Sequence, residues 1–313
     1  MIAPDNKSLV LGTAQWGWTV DRKNAFLQLD AWLASGHQCL DLATNYPINK
    51  IPGDFRKSEK IVQEYIQTHG LTHLDVTIKI GSQDNMRSPD NNLEPSFILM
   101  MAMEYRRLFG DNLKGIMIHW DNREDQQAIA KSLEVMASLQ ETDGIRPGLS
   151  GIRRPDLYLN ASCESALSFD IQFKHNILQS DLKRYAPFFS TEKQEKAPHR
   201  FFAYGLNAGG IKLEGPYPAG STFLARAGDP DKVAPFLNQI RELLPKWNTA
   251  FVRPPVRTMT HIGLLHAGLN PAIDGLVLGF STVAQLRETL DFWRNLSTFE
   301  YDDVFADLQK RTQ

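Results

Sequence analysis

Four residues in the first half of the chain could together move a proton to or from a bound molecule. Asp41 lies inside the apolar segment at residues 39–43, and Tyr46 follows that segment closely. Lys79 and His119 lie at the ends of two later apolar segments, residues 76–80 and 115–119. A buried carboxylate is costly unless it is paired, so Lys79 is the candidate partner of Asp41. A nearby ammonium also lowers the pKa of a tyrosine, ordinarily about 10, and makes it a better proton donor.

A repeating order of strands and helices must position these residues. The apolar segments predict strands at residues 9–12, 39–43, 76–80, 115–119, 147–152, 169–173, 200–204 and 275–279. Helical patterns lie between or after them, at residues 24–34, 58–68, 96–109, 124–139, 155–163, 180–188, 231–244 and 283–296. Eight such units in 313 residues favour a (β/α)8 TIM barrel, an α/β fold, as a single domain over residues 1–313. The GxGxxG loop of an open dinucleotide-binding sheet is missing after the first strand.

Loop lengths place the four residues on one face of this barrel. The connections after strands are long and rich in turn residues, at residues 47–57, 82–95 and 205–230, whereas residues 35–37 make a short return from the first helix. In a (β/α)8 barrel the loops that follow strands all lie at one end, where binding and catalytic sites are built. We therefore expect all four side chains at that end.

With these residues in place, the sequence resembles the aldo-keto reductase family, which consists of NADP-dependent (β/α)8-barrel enzymes. The resemblance runs from residue 9 to about residue 292, and the family's tetrad of Asp, Tyr, Lys and His matches Asp41, Tyr46, Lys79 and His119 in order and spacing. It implies reduction of an aldehyde or ketone by hydride transfer from nicotinamide, with Tyr46 as the proton donor. Lys79, held by Asp41, would lower the pKa of the phenol, and His119 would complete the pocket for the carbonyl oxygen.

The resemblance also implies where the cofactor and the substrate bind. Ser150 and Gln172 would hydrogen-bond the nicotinamide carboxamide, and Tyr204 would stack on its ring. The other implied cofactor positions are Gly12, Thr13, Gly205, Leu206, Arg226, Gly279, Ser281, Thr282, Gln285 and Glu288. Three tryptophans that follow the first and fourth strands are candidates for the substrate pocket wall, with packing in the core or at the rim as the alternative: Trp16, Trp18 and Trp120.

The choice of nicotinamide cofactor depends on the adenosine end. Many family members have Lys and Arg where this chain has Gly279 and Gln285, which removes two charged contacts to a 2′-phosphate. However, Ser281, Gln285 and Glu288 resemble a branch of the family that holds NADP with the help of an arginine after the seventh strand, and Arg226 would supply that charge. We predict NADPH, and NADH stays open.

Three features depart from the family pattern. Gly151 stands where the family commonly has Asn, and residues 204–207, Tyr-Gly-Leu-Asn, replace a frequent Tyr-Ser-Pro-Leu segment. The first strand begins almost at once, at Leu9, so we expect no N-terminal hairpin beneath the barrel.

Composition restricts the classes of function. The 34 Lys and Arg residues are balanced by 36 Asp and Glu residues, so the basic excess that nucleic-acid binding needs is absent. The longest apolar stretch, residues 97–103, is too short to cross a membrane. The two cysteines are far apart and lack partners at metal-binding spacing, which predicts no metal site and a reducing, cytoplasmic location.

Two other functions compete with the reductase. The first is a nicotinamide-binding redox sensor or regulatory protein with vestigial catalysis. The second, a barrel metal hydrolase, is disfavoured because no His-x-His strand motif is present. The expected partner is a small carbonyl compound, and neither nucleic acid nor a membrane is expected.

Overall fold

Eight parallel strands form a closed barrel in this protein. The computed structural model describes residues 6–165, 167–189, 198–218, 221–225 and 228–311. Each strand pairs with the next one in sequence, and the last pairs with the first. The strands are β1 Ser8–Gly12, β2 Cys39–Ala43, β3 Asp75–Ile80, β4 Leu113–His119, β5 Arg146–Ser150, β6 Asp170–Asn176, β7 Arg200–Tyr204 and β8 Gly275–Leu278. The predicted (β/α)8 barrel is confirmed, and all eight predicted strands are present with small differences at their ends.

Helices surround the barrel. They are α1 Arg22–Ala34, α2 Lys57–His69, α3 Pro95–Phe109, α4 Gln126–Asp143, α5 Pro155–Ser165, α6 Pro230–Thr249, α7 Met259–Gly268, α8 Val283–Thr298 and α9 Asp302–Gln309. Shorter elements are the 3-10 helices Pro52–Asp54, Gly110–Asn112 and Leu182–Phe189, the one-turn helix Thr222–Ala225 and the two-residue strand Gln179–Ser180. In the described part of the chain, none of the helices has both the length and the apolar character that a membrane crossing requires.

Helix α4 illustrates how local sequence fixes an element. The Asp125 side chain accepts hydrogen bonds from the first free amides of the helix, and Gly144 ends it with φ of 65°, a left-handed conformation that glycine adopts without strain. Ile129, Leu133 and Met136 recur along one face and are buried against the barrel.

The predictions for two helical regions were wrong. Residues 180–188 form part of the short strand Gln179–Ser180 and of the 3-10 helix Leu182–Phe189. Helix α7 was not predicted. All but one of its residues are buried, so its sequence lacks the polar stripe by which a surface helix is recognised.

Strand β3 shows how the barrel separates its apolar and polar sides. Val76, Ile78 and Ile80 are completely buried and belong to the large core between barrel and helices. Thr77 and Lys79 alternate with them and lie on the other side of the strand, inside the barrel. The barrel interior holds its own small apolar cluster of Val10, Phe202 and Val277.

Four charged residues form an ion network at the floor of the barrel, where the strands begin. Arg146 bonds Asp75 at 2.6 Å and Asp170 at 3.3 Å, and Arg200 grips Asp170 through two nitrogens at 2.7 and 2.6 Å. Two guanidinium groups and two carboxylates therefore neutralise and hydrogen-bond one another below the apolar cluster.

Candidate active site

A buried ion pair lies at the opposite end of the barrel, where the strands finish. The Lys79 ammonium of β3 donates to the Asp41 carboxylate of β2, and both residues are almost completely buried. Burial lowers the pKa of Lys79, whereas the charge of Asp41 opposes this shift. The register of the parallel strands brings the pair together, since Ala43 of β2 lies opposite Lys79.

Tyr46 lies above this pair because the chain turns sharply after β2. The Thr44 amide donates to the Lys79 carbonyl at 3.0 Å, and the Tyr46 amide donates to Ala43. A cis peptide bond joins Tyr46 to Pro47. The Lys79 ammonium lies 4.9 Å from the centre of the Tyr46 ring, so a positive charge sits directly beside the phenol.

His119 faces the same ring from β4. The two ring centres are 6.3 Å apart in an edge-to-face arrangement. The imidazole is buried, and its Nδ1 atom has no hydrogen-bond partner among the residues that the structure describes. Burial, and then the nearby charge of Lys79, hold the pKa of His119 well below its ordinary value, so this ring is neutral.

A chain of hydrogen bonds links the ion pair to β5 and β6. The Gln172 side-chain nitrogen donates to Asp41 at 2.7 Å, and its oxygen accepts from the Ser150 hydroxyl at 3.3 Å. Strand register sets this chain, because His119 lies opposite Ser150 and Ser150 lies opposite Gln172. Ser150, Gln172 and the ion pair therefore act as one connected polar layer.

An open cleft runs from this layer across the top of the barrel. Asp41, Tyr46 and His119 line one end of it, and Lys79 lies buried beneath. Predicted cofactor residues that line the cleft are Gly12, Ser150, Gln172, Tyr204, Gly205, Leu206, Gly279, Ser281 and Gln285. Among the tryptophan candidates, Trp120 lines it as well.

The sequence and the structure were compared with those of known proteins. No protein-family model matches the sequence, and no curated protein matches it. Among solved structures, the aldo-keto reductase AKR11C1 from Bacillus halodurans, in its holo form, is similar with a TM-score of 0.71. The similarity covers 98% of this chain and 92% of that chain, at 18% sequence identity.

The chain has the fold of an aldo-keto reductase. In this fold the cleft extends from the carboxyl ends of the strands to the start of α8. The side chain of Thr282 caps α8 by accepting from the Gln285 amide at 3.2 Å, and the Gln285 side chain accepts from the Ser281 amide at 3.0 Å. The positive end of a helix thus faces the cleft, which favours a negatively charged group there.

Several predicted binding residues have other contacts in the structure. Thr13 is completely buried, and its hydroxyl donates to the Asp41 carbonyl at 3.0 Å while it accepts from Ser58 at 2.8 Å, so it supports the ion pair from behind. Thr282 caps α8, and the exposed Glu288 lies 3.6 Å from His261. Arg226 lies outside the described residues.

Two tryptophans do not line the cleft. Trp16 is completely buried in the core around the barrel, because a tight turn that bridges Trp16 and Val20 directs it inward. Trp18 is half-buried and is not among the residues that line the cleft. The alternative of packing in the core describes Trp16, and the role of Trp18 stays a prediction.

Other residues at the cleft were missed by sequence reasoning. The Gln15 side-chain oxygen accepts from the hydroxyls of Thr19, Thr222 and Ser281 at 2.9, 3.3 and 3.5 Å, and so joins three loops at the cleft edge. Its position just after β1 was the available signal. Further lining residues are Ile48, Asn207, Thr260, Leu264, Phe280 and Thr289. Thr260 and Leu264 belong to the unpredicted helix α7.

Proposed function

We propose that this protein is an aldo-keto reductase that reduces an aldehyde or ketone to an alcohol with NADPH. The observation that carries the proposal is the buried ammonium of Lys79, paired with Asp41 and 4.9 Å from the ring centre of Tyr46. A positive charge in this position favours the phenolate, which is the form that remains after Tyr46 gives up its proton.

The four residues divide the work of reduction. When bound, the nicotinamide would supply the hydride to the carbonyl carbon. Tyr46 donates a proton to the carbonyl oxygen, and Lys79 stabilises the phenolate that remains. Asp41 opposes the loss of the Lys79 proton on burial. Neutral His119 presents a polar edge to the carbonyl oxygen without adding a second positive charge beside Lys79.

The cleft fits a dinucleotide. Its lining runs from the polar layer to the start of α8, and Gly12 and Gly279 add no side chains to this lining. A Cβ atom on Gly12 would lie 3.1 Å from Val277, so a larger residue would crowd this lining. Ser150 and Gln172 would hold the carboxamide, Tyr204 the ring, and Ser281 with the first turn of α8 a phosphate.

A panel of aldehydes and ketones tests the reaction directly. We expect NADPH absorbance to fall with at least one carbonyl compound in the presence of the purified chain. Tight NADPH binding with no turnover across the panel would instead support the redox-sensor alternative. Failure to bind either nicotinamide cofactor would contradict both functions.

Cofactor preference is a separate part of the proposal. We expect a higher kcat/KM with NADPH than with NADH, and expect Arg226→Ala to reduce NADPH use by about ten- to a hundredfold, because a charge-assisted contact to the 2′-phosphate is worth about 1.5–3 kcal/mol. Use of NADH should be unchanged. A wild-type preference for NADH, or an Arg226→Ala variant with unaltered preference, would count against this assignment.

We further propose that residues 1–313 form one domain that works in the cytoplasm. The barrel strands span residues 8–278, and α9 packs against α7, one of the helices around them. Cys39 is a free thiol at the barrel interior, which is consistent with a reducing compartment.

A further inference from the structure

Trp120 holds an unusual backbone conformation at the edge of the cleft. Its φ angle is 54°, in the left-handed region that bulky residues rarely adopt. Such a conformation costs free energy and persists only where the surrounding structure enforces it, and it is frequent at functional sites. The contacts on either side of Trp120 show what holds it in this conformation.

On one side, Gly151 makes room for the indole of Trp120 because it has no side chain. The Trp120 amide donates to the carbonyl of Ser150, the residue before Gly151, at 2.9 Å. This bond lays the indole along the end of β5. A Cβ atom on Gly151 would lie 2.5 Å from Cδ1 of the indole and 3.1 Å from its Nε1 atom. Gly151 itself has a φ angle of 66°. The indole thus occupies the space that any side chain at position 151 would need.

Asp121 fixes the chain on the other side. Its carboxylate, which is buried, accepts from the Tyr158 hydroxyl and from the Arg123 guanidinium at 3.1 and 3.0 Å. Its carbonyl accepts from the Arg153 amide at 3.0 Å, just beyond Gly151. The loops after β4 and β5 are therefore joined on both sides of Trp120, and the indole has little freedom to leave this position.

The indole so held forms part of the candidate active site. Its ring centre lies 4.6 Å from that of His119, and Trp120 lines the cleft beside Tyr46. A side chain at position 151 would overlap the indole, so the indole that lines the cleft would have to shift. The residue at position 151 can therefore change the width of the cleft without touching a ligand itself.

We propose that Gly151 is a specificity-determining position, a positioning residue that acts through Trp120 to keep the cleft beside His119 wide enough for an aromatic carbonyl compound. The choice of a carbonyl compound rests on the proposed function, whereas the coupling between Gly151 and Trp120 does not. The ligand class follows from the flat indole wall, which suits a planar ring.

The first experiment follows the indole itself. Fluorotryptophan-labelled protein should give a fluorine NMR signal for Trp120, identified by its loss in Trp120→Phe. We expect Gly151→Ala to shift this signal, because the added Cβ overlaps the indole. Gly144→Ala is the matched control: Gly144 has a φ angle of 65°, but an added Cβ there meets nothing within 4 Å. It carries the same backbone strain and should leave the signal and the activity unchanged.

The second experiment measures the width of the cleft. Titration with an aromatic and with a short aliphatic aldehyde, followed by calorimetry in every variant, gives two dissociation constants without requiring turnover. We expect Gly151→Ala to weaken aromatic binding by about tenfold and aliphatic binding by less, within the usual range of coupling between contacting residues. Where turnover is present, KM for the aromatic aldehyde should rise by a similar factor while kcat changes less.

A double variant distinguishes contact from general damage. In the Trp120→Ala background the space beside residue 151 is empty, so adding Gly151→Ala should have no further effect on either dissociation constant. An unshifted Trp120 signal in Gly151→Ala, or an equal loss in both backgrounds, would overturn the inference. Aldehyde binding with normal coupling but no reduction of any carbonyl would overturn the proposed reductase activity and leave this inference standing.

Discussion

The two ends of the barrel use charged residues in opposite ways. At the floor, Arg146 and Arg200 are paired with Asp75 and Asp170, and the arginine side chains are 36% and 44% exposed. At the top, the ion pair of Asp41 and Lys79 is almost completely buried, and its cation lies over the ring of Tyr46. The named charges balance in both places, and at the top the charge lies beside Tyr46 and His119, which line the large cleft.

This difference shows that the environment of an ion pair decides its role. Partly exposed pairs such as those at the floor contribute modestly to stability, because water already solvates their charges. A buried ammonium keeps a strong field over a short distance, because little water screens it. The floor should therefore tolerate substitution with small changes in stability, whereas changes at the top should alter chemistry first.

The sharpest test of this contrast is Tyr46→Phe. We expect a loss in kcat of about 10³-fold or more, because the ring stays while the proton is lost. Cofactor binding, measured by NADPH fluorescence, should change little. Tyr65→Phe is the control, since Tyr65 donates to Asp30 on the outer helices, far from the cleft. Near-normal turnover in Tyr46→Phe would remove this residue from the role of acid.

Lys79→Met should have the next largest effect. We expect kcat to fall by about 10²-fold, and the residual rate to lose the pH dependence set by the phenol. The variant should also be less stable, because Asp41 is left buried without its cation. Adding Asp41→Asn should restore part of the free energy of unfolding but not the rate. An unchanged pH profile would show that Lys79 does not act on Tyr46.

A histidine near the floor predicts a smaller effect, on stability alone. Burial lowers the pKa of His199 to about 4, whereas an unfolded histidine titrates near 6.5. As the pH falls, the unfolded chain therefore binds a proton at His199 before the folded chain does. The stability that depends on neutral His199 is complete above pH 6.5 and is lost as the pH falls towards about 4. His199→Asn keeps an acceptor for the Phe169 amide. The unfolding free energy of His199→Asn should fall less steeply than that of the wild type as the pH is lowered. The difference in slope is up to about 1.4 kcal/mol per pH unit. The unfolding free energies are measured by urea denaturation at several pH values. The same pH dependence in His199→Asn and in the wild type would contradict this prediction.

The smallest expected effect belongs to Arg200→Met. Loss of a partly exposed bidentate pair should cost about 1 kcal/mol, or roughly 2 °C in Tm for a chain of this size. The Asp170 carboxylate keeps its contact with Arg146. Activity should be unchanged, and a large loss of kcat would show that the floor and the top of the barrel are coupled.

Much of the fold and the four central residues could be predicted, because each depends on local sequence. Strands appear as short apolar runs, and a titratable residue such as Asp41 inside such a run is conspicuous. Helix α7 escaped prediction because it is buried on nearly all sides, and residues 180–188 have a helical apolar pattern that a 3-10 helix adopts in place of an α-helix.

Other parts of the site depend on distant contacts. The turn that buries Trp16 and the bond from Thr13 to Asp41 depend on side-chain direction, which periodicity does not reveal. The bond between Tyr158 and Asp121 joins positions 37 residues apart. Gly151 showed only as a departure from the family pattern, and its reason became visible with the indole against it.

The side chain of Asn85 has a practical consequence for protein engineering. Its amide nitrogen lies within hydrogen-bond distance of the Pro47 carbonyl at 3.2 Å, the Asn49 side chain at 3.1 Å and the Ile51 carbonyl at 2.7 Å. The loop after β3 therefore buttresses the loop that carries Tyr46. Libraries that diversify one of these loops alone would break that support, so grafted or evolved variants should exchange the two loops as a pair.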